Sequence, residues 1–100
     1  MNITFEYHGT KGSNRLEDLI TQKLNKIFAK YDFIVQAHVF LKTQNTSSPL
    51  DGKICKIQLS VPGPQLFAEC NSKSFEVSIH ESLNNLKRQL GKRKEKMKSH

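Results

Sequence analysis

Lysine and arginine side chains dominate residues 87–100, KRQLGKRKEKMKSH, which we call the basic segment. Seven of its fourteen residues are Lys or Arg and one is Glu, whereas the preceding 86 residues hold nine basic and eight acidic side chains. Six of the seven net positive charges of the chain therefore lie in this segment. Such side chains bind polyanions, so the sequence predicts a nucleic acid or an acidic membrane surface as the partner.

The spacing of these charges predicts two basic rows along one helix. Apolar residues recur at helical spacing between residues 75 and 97, and at about 100° per residue the basic side chains fall on both flanks of that apolar row. One flank carries Arg88, Lys92 and Lys96, and the other carries Lys87, Lys94 and Lys98. The apolar row consists of Phe75, Ile79, Leu83, Leu86, Leu90 and Met97.

This final helix is predicted to extend past the sheet. A helix from Ser74 to Lys98 would be about 37 Å long, whereas a strand of about eight residues covers about 27 Å. We therefore expect the last two turns to overhang the sheet, where Arg93, on the apolar side, is free to reach outward. Gly91 is expected to interrupt the helix, and like charges four residues apart also disfavour it. Helix stability therefore does not explain the basic segment, and a binding role does.

A further basic row, formed by Lys23, Lys26 and Lys30, lies beside the apolar face of the first predicted helix. Taken alone, this row is typical of an ordinary solvated helix surface. Two helices side by side on a sheet would present their basic rows to one curved polyanion. Lys and Arg on a phosphate backbone release condensed counterions, which gives strong and largely sequence-independent binding. A-form RNA is recognised mainly by shape and phosphates, so it suits these residues.

Aromatic side chains that could stack on unpaired bases are few. The chain has six Phe, two Tyr and no Trp, and only Phe40 and Phe67 are predicted to lie on the outer face of the sheet. A platform for single-stranded nucleic acid needs a row of exposed aromatic side chains. Ordinary partial exposure is therefore the expected state of both residues.

Apolar periodicity predicts the element order β-α-β-β-β-α. Apolar and polar residues alternate in four runs, at 2–7, 35–42, 55–61 and 66–70, and apolar residues recur at helical spacing at 16–31 and 75–97. The first strand, helix and strand imply a parallel pair joined by a right-handed crossover, and the PGP turn at 62–64 implies an antiparallel hairpin. We therefore predict an α+β fold, a two-layer sandwich with two helices packed on one face of a four-stranded mixed sheet.

Several local details accompany this prediction. Ser13 and Asn14 are both candidate caps of the first helix, and Glu17 follows Asn14 by three residues, as in a capping box. Ser72 or Ser74 is the candidate cap of the second helix. The inward positions of the second strand are predicted to be Val35, Ala37, Val39 and Leu41.

Length and composition predict one domain over residues 1–100. No stretch is apolar enough for a membrane span and the N-terminus lacks a signal-peptide pattern, so we expect a cytoplasmic location. Cys55 and Cys70 are predicted to be buried, inert thiols on paired strands. The four histidines are scattered without catalytic or metal-ligand spacing, so we expect no metal, no cofactor, no small-molecule substrate and no enzymatic activity.

Several stretches together carry a resemblance to a known family. They are RQLGKRKEKMKSH from Arg88, AHVFLK at 37–42, LSVPGPQLFAE at 59–69 and KLNKI at 23–27. In their shared order the chain resembles the short form of the ribosome hibernation-promoting factors, the family that includes ribosome-associated inhibitor A and the sigma-54 modulation proteins. The resemblance covers essentially all 100 residues.

The resemblance implies binding to ribosomal RNA of the small subunit, in the channel where messenger and transfer RNA lie. Translation by idle ribosomes would then be inhibited, as part of a stress response. The sequence does not fix the oligomeric state, and a monomer away from the ribosome is our expectation. By position, the RNA-contacting residues of the family correspond to Lys87, Arg88, Lys92, Lys94, Lys96 and Lys98, with Lys23, Lys26 and Lys30 on the first helix. Arg93 joins this set because of its place on the predicted overhang.

The chain departs from the family pattern at the start of the last helix. Ser74, Phe75 and Glu76 stand where family members often have Asp-Met-Tyr, so no role for that tyrosine carries over. Long-form members pair ribosomes through an additional C-terminal domain, which we expect to be absent here, so the resemblance leaves promotion of ribosome dimers open. Two alternatives remain open, a general double-stranded RNA-binding domain and a basic amphipathic element that binds a membrane surface.

Overall fold

The computed structural model describes residues 2–98, and over this range the predicted α+β fold class and element order are confirmed. Ser99 and His100, which end the basic segment, lie outside the described residues. The strands are β1 (Asn2–His8), β2 (Gln36–Thr43), β3 (Lys53–Ser60) and β4 (Leu66–Ser72), and the helices are α1 (Asn14–Lys30) and α2 (Phe75–Lys98).

The four strands form one mixed sheet in the order β1-β2-β3-β4. β1 and β2 are parallel, with Phe5 opposite Val39, as expected for strands joined by a helical crossover. β2 pairs antiparallel with β3, and β3 with β4. The β3–β4 hairpin turns through Gly63, which has a φ of 87° that a side chain would disfavour.

The core lies between one face of the sheet and the two helices. Alternate residues of β2, β3 and β4 point into it, whereas those of β1, an edge strand, are only partly buried. α1 and α2 each contribute one apolar row to the same core, which confirms the two-layer arrangement. The core residues with no exposed surface are Ile20, Leu24, Val39, Leu41, Cys55, Ile57, Leu59, Ile79, Leu86 and Leu90.

The first helix begins one residue earlier than a capping box would require. Ser13 is the N-cap, and its Oγ accepts a hydrogen bond from the Leu16 N–H at 3.2 Å. Asn14 is therefore the first helical residue, and the predicted capping box with Glu17 is wrong. The Glu17 carboxylate instead accepts a hydrogen bond of 2.7 Å from the Tyr7 hydroxyl, which ties the helix start to β1.

The predicted inward position of Val35 is also wrong, because this side chain is 65% exposed. β2 begins only at Gln36, and the turn that precedes it places Ile34 in the core instead. Val35 continues the backbone pairing, since its N–H donates to the Ser60 carbonyl at 2.8 Å. Its side chain thus lies at the end of the sheet, where the helices provide no cover.

Three serines fix the position of α2, one as its cap and two as buried links to β3. Ser74 is the cap, and it accepts a hydrogen bond from the Val77 N–H at 3.2 Å. Ser78 Oγ then donates to the Lys53 carbonyl at 2.5 Å, and Ser82 Oγ donates to the Cys55 carbonyl at 3.1 Å. Each buried hydroxyl therefore has a partner, and the four-residue spacing places both serines on one side of the helix.

The end of α2 differs from the prediction in two respects. Gly91 does not interrupt the helix, which is continuous from Phe75 to Lys98. Met97 was predicted to belong to the apolar row, but it is 41% exposed, whereas Leu90 is fully buried. The apolar row therefore ends at Leu90, because the sheet and α1 no longer cover the helix beyond it.

Candidate nucleic-acid interface

The two helices run in the same direction. Near their N-terminal ends, Arg15 Nη2 of α1 lies 2.8 Å from Glu76 Oε2 of α2. Near their C-terminal ends, Lys94 of α2 lies over the ring of Tyr31, the residue that caps α1. Because the predicted binding lysines occupy the C-terminal halves of both helices, the fold brings them to the same end of the molecule. Cations at that end also interact favourably with the two helix dipoles.

An interhelix groove of about 350 Å³ separates the two helices at this end. The walls of this groove are lysines from both helices, and its apolar floor is formed by Ile27 and Tyr31. The lysines are Lys23, Lys26, Lys30 and Lys87. Four like charges converge here on a concave surface, which raises the local concentration of anions.

Tyr31 organises one end of the interhelix groove. Its side chain is only 6% exposed, and the Nζ atoms of Lys30 and Lys94 lie 5.5 and 5.6 Å from its ring centroid. Both distances are within the range of cation–π attraction. α2 passes close to this residue, since a Cβ at Gly91 would lie 3.9 Å from the Tyr31 hydroxyl. Tyr31 thus positions two ammonium groups, a role that its apolar periodicity alone did not reveal.

The other flank of α2 borders the edge of the sheet, where a β4-side groove of about 180 Å³ is lined by Leu66, Gln89, Lys92, Arg93 and Lys96. Arg93 Nη1 donates a hydrogen bond of 2.9 Å to the Pro62 carbonyl. The expectation that Arg93 reaches freely outward is therefore wrong, because its guanidinium is held at the β3–β4 turn. Gln89 Nε2 similarly donates to the Phe67 carbonyl at 2.9 Å.

The ten predicted residues thus fall into three groups. Lys23, Lys26, Lys30, Lys87 and Lys94 surround the interhelix groove or its Tyr31 floor, and Lys92, Arg93 and Lys96 line the β4-side groove. Arg88 and Lys98 are exposed and, within residues 2–98, contribute to neither groove. The predicted overhang of two turns is too long, because Arg93 and Lys94 still contact the body of the protein.

Two acidic side chains, Glu6 and Glu76, have partners away from these lysines. Glu6 lies 2.5 Å from His8 Nε2, and Glu76 pairs with Arg15. Hydrogen bonds from its own backbone N–H and from Arg15 hold the pKa of Glu76 below its usual value. A carboxylate in the first turn of a helix is also favoured by the dipole. Glu76, one of the departures from the family pattern, therefore has a structural role in this chain.

Residues 2–98 contain two free thiols and no cluster of metal-ligating side chains. Cys55 and Cys70 face each other across β3 and β4 as free thiols, and burial raises the pKa of Cys55 to about 12. A thiol with so high a pKa is a poor nucleophile at neutral pH. Within residues 2–98, no three His, Cys, Asp or Glu side chains are grouped so that they could hold a metal ion. None of the helices in that range has the length and apolar character needed to cross a membrane.

Comparison with known proteins identifies the family. Residues 3–98 match the family described as sigma 54 modulation protein / S30EA ribosomal protein. The chain belongs to this family. The resemblance drawn from four short stretches of the sequence is therefore confirmed.

Individual relatives are similar over all or nearly all of their length. The chain is 26% identical over 100 residues to the ribosome hibernation promoting factors of Klebsiella oxytoca and of Escherichia coli K12, and the match covers all of each protein. Among solved structures, a ribosomal subunit interface protein from Coxiella burnetii is 26% identical with a TM-score of 0.81, covering 94% of this chain and 98% of that one. The N-terminal domain of Thermus thermophilus Protein Y, 20% identical with a TM-score of 0.76 over 90% of this chain and 96% of that one, shares the fold.

Proposed function

We propose that the protein is a ribosome hibernation factor that binds ribosomal RNA of the small subunit, in the channel for messenger and transfer RNA, and inhibits translation by idle ribosomes. The observation that carries this proposal is the convergence of lysines from two helices on one groove. Family membership supports a ribosomal partner, and relatives are named ribosome hibernation promoting factors. A cytoplasmic location follows from such a partner.

The geometry suits a folded polyanion better than a single small anion. Lysines line the interhelix groove, further cations line the β4-side groove, and Arg88 is exposed on α2. Charges spread in this way can neutralise several phosphates of a curved backbone at once. Binding then releases condensed counterions and needs no base-specific contact.

Inhibition by this mechanism involves no chemical step. A domain that occupies the channel through phosphate contacts excludes messenger and transfer RNA sterically and leaves the ribosome intact. We propose that residues 1–100 act as one ribosome-binding domain whose partner is 16S-type ribosomal RNA. Its effect on translation is expected to depend on occupancy of the small subunit.

The membrane alternative lacks the apolar surface that it needs. An amphipathic helix binds a lipid surface by inserting its apolar face, but Leu83, Leu86 and Leu90 are at most 2% exposed because they pack in the core. Inserting them into lipid would require α2 to leave the sheet. The basic rows would then bind acidic lipid only through charge.

Competition on purified subunits tests the proposal. The folded protein should bind small subunits, should bind large subunits much more weakly, and should bind poorly to small subunits already loaded with messenger and transfer RNA. Equal affinity for the two subunits, or equal affinity for empty and loaded small subunits, would contradict binding in the channel. Equal affinity for free duplex RNA at physiological salt would favour a general double-stranded RNA binder instead.

A further inference from the structure

The outer face of the sheet carries an exposed aromatic side chain at an edge. Phe67 of β4 is 61% exposed and is the only large apolar side chain with such exposure in a strand among residues 2–98. On the same face, Phe40 of β2 is partly buried, and the imidazole of His38 stacks on it with centroids 4.3 Å apart and planes at 16°. The helices cover only the other face, so Phe67 lies on a surface without cover from this chain.

A lysine occupies the space between the two phenylalanines. Lys56 of β3 places Nζ 5.7 Å from the ring centroid of Phe40 and 5.8 Å from that of Phe67. Its direct neighbour across the β3–β4 pairing is Glu69, yet no ion pair within 4.0 Å joins them among residues 2–98. The ammonium group therefore lies over aromatic rings, which produces a surface that is both aromatic and cationic.

This surface is adjacent to the β4-side groove, on the other side of the same edge strand. Leu66 lines that groove together with Lys92 and Lys96, and the next residue, Phe67, has its side chain on the opposite face. Gln89, which also lines the groove, donates its amide hydrogen to the Phe67 carbonyl. A phosphate in the groove and a ring on Phe67 would thus be separated by one strand.

We propose that this edge of β4 binds one unpaired nucleotide of RNA, with its phosphate at Lys92 and Lys96 and its base stacked on Phe67 beside Lys56. The phosphate contact rests on the proposed function, whereas the stacking contact goes beyond it. Every base has a π face, so an exposed ring with a neighbouring cation binds bases without sequence preference. The Glu69 carboxylate on the outer face repels phosphate, which places the phosphate on the groove side. An isolated exposed ring is too small for the core of a stable protein interface.

Binding of a short unstructured oligouridylate tests the stacking contact. Phe67→Ala should weaken this binding by about tenfold, while Phe67→Tyr, which keeps a ring, should bind like the wild type. Leu50→Ala is the matched control, because Leu50 is 72% exposed in the β2–β3 loop and should have no effect. Binding of a short RNA duplex should be the same for all four proteins.

Undiminished oligouridylate binding by Phe67→Ala would overturn the inference. The inference would also be overturned if Phe67→Ala lost small-subunit binding but still bound the oligouridylate normally. The partner of Phe67 would then be a protein. The proposed function fails separately, if the wild type does not bind small subunits. Because the stacking contact is measured on free RNA, the two failures are distinguishable.

Discussion

α2 divides at Leu90 into an anchored part, residues 75–90, and a shorter charged end, residues 91–98. The anchored part has four buried apolar side chains and two buried serines bonded to β3. The charged end has one acidic and five basic side chains, and its contacts with the rest of the chain include those of Arg93 with Pro62 and Lys94 with Tyr31. The anchored part therefore fixes the helix, and the charged end, together with Lys87 and Arg88, presents the positive charge.

The anchored part explains how the charged end stays helical. An isolated helix of eight residues is marginal in water, and like charges at i, i+4 destabilise it further. Continuation from a helix already fixed by core packing removes the cost of nucleation. Stability and binding depend on different side chains of one helix, the buried ones and the exposed basic ones, and variants of each kind test this division.

Leu86→Ala should produce the largest loss of stability. Leu86 is fully buried, so truncation leaves a cavity and should lower the free energy of unfolding by about 2–5 kcal/mol. Met97 lies in the charged end and is 41% exposed. Met97→Ala should therefore change the free energy of unfolding by less than about 0.5 kcal/mol. Urea denaturation of both variants measures the difference. Equal losses of unfolding free energy in the two variants would mean that the anchored part does not end at Leu90.

Replacing Arg88, Lys92 and Lys96 together by Ala should weaken ribosome binding and leave folding intact. Each phosphate contact contributes about 1 to the slope of log affinity against log salt, so the slope should fall in magnitude by about 3. The matched control replaces Lys11, Lys42 and Lys73, three exposed lysines outside the grooves, with the same loss of charge. Normal cosedimentation of the first variant at raised salt would refute this assignment of the binding residues.

Gly91→Ala, at the junction of the anchored part and the charged end, should raise the free energy of unfolding by up to about 1 kcal/mol. The helix is continuous there, Ala has the higher helix propensity, and the new Cβ would lie at an ordinary 3.9 Å from the Tyr31 hydroxyl. Gly9→Ala is the contrasting control, because Gly9 has a φ of +68° and its Cβ would lie 2.7 Å from the Thr43 carbonyl oxygen. A lower melting temperature for Gly91→Ala would show that the junction requires glycine.

Arg15→Ala should have the smallest effect, about 0.2–1 kcal/mol, because the Arg15 and Glu76 side chains are 69% and 50% exposed. The pKa of Glu76 is lowered from 4.5 in the folded state, so its contribution is present above that pH and is lost as the pH falls through the lowered value. The stability difference between wild type and variant should therefore shrink in acid. A difference that is unchanged at low pH would mean that charge does not hold the two helix starts together.

The fold could be predicted from the sequence because each element has a clear apolar period. The apolar period cannot show where the sheet and the helices stop covering each other. For this reason Val35 and Met97 were wrongly assigned to the core. Ser78 and Ser82 were missed because a polar side chain is unexpected in a core until the β3 carbonyls that accept its hydrogen bond are known. Ser13 and Asn14 are adjacent, so the apolar pattern could not decide which of them caps α1.

The candidate interface could be predicted only in part. Helical angles identified the two basic flanks of α2, but the surface that each flank faces depends on how α1 lies beside it. The parallel direction of the helices brings Lys30 and Lys94 to one tyrosine, and no local pattern indicates this. The attachment of Arg93 to Pro62 likewise joins residues 31 positions apart.

The most direct measurement is binding of the folded protein to purified small ribosomal subunits as a function of salt. The proposed binding mode requires tight association in low-salt buffer, with log affinity falling linearly as log salt rises, because several phosphates are neutralised at once. A folded protein that fails to bind small subunits at low salt, or one whose affinity does not depend on salt, would contradict it.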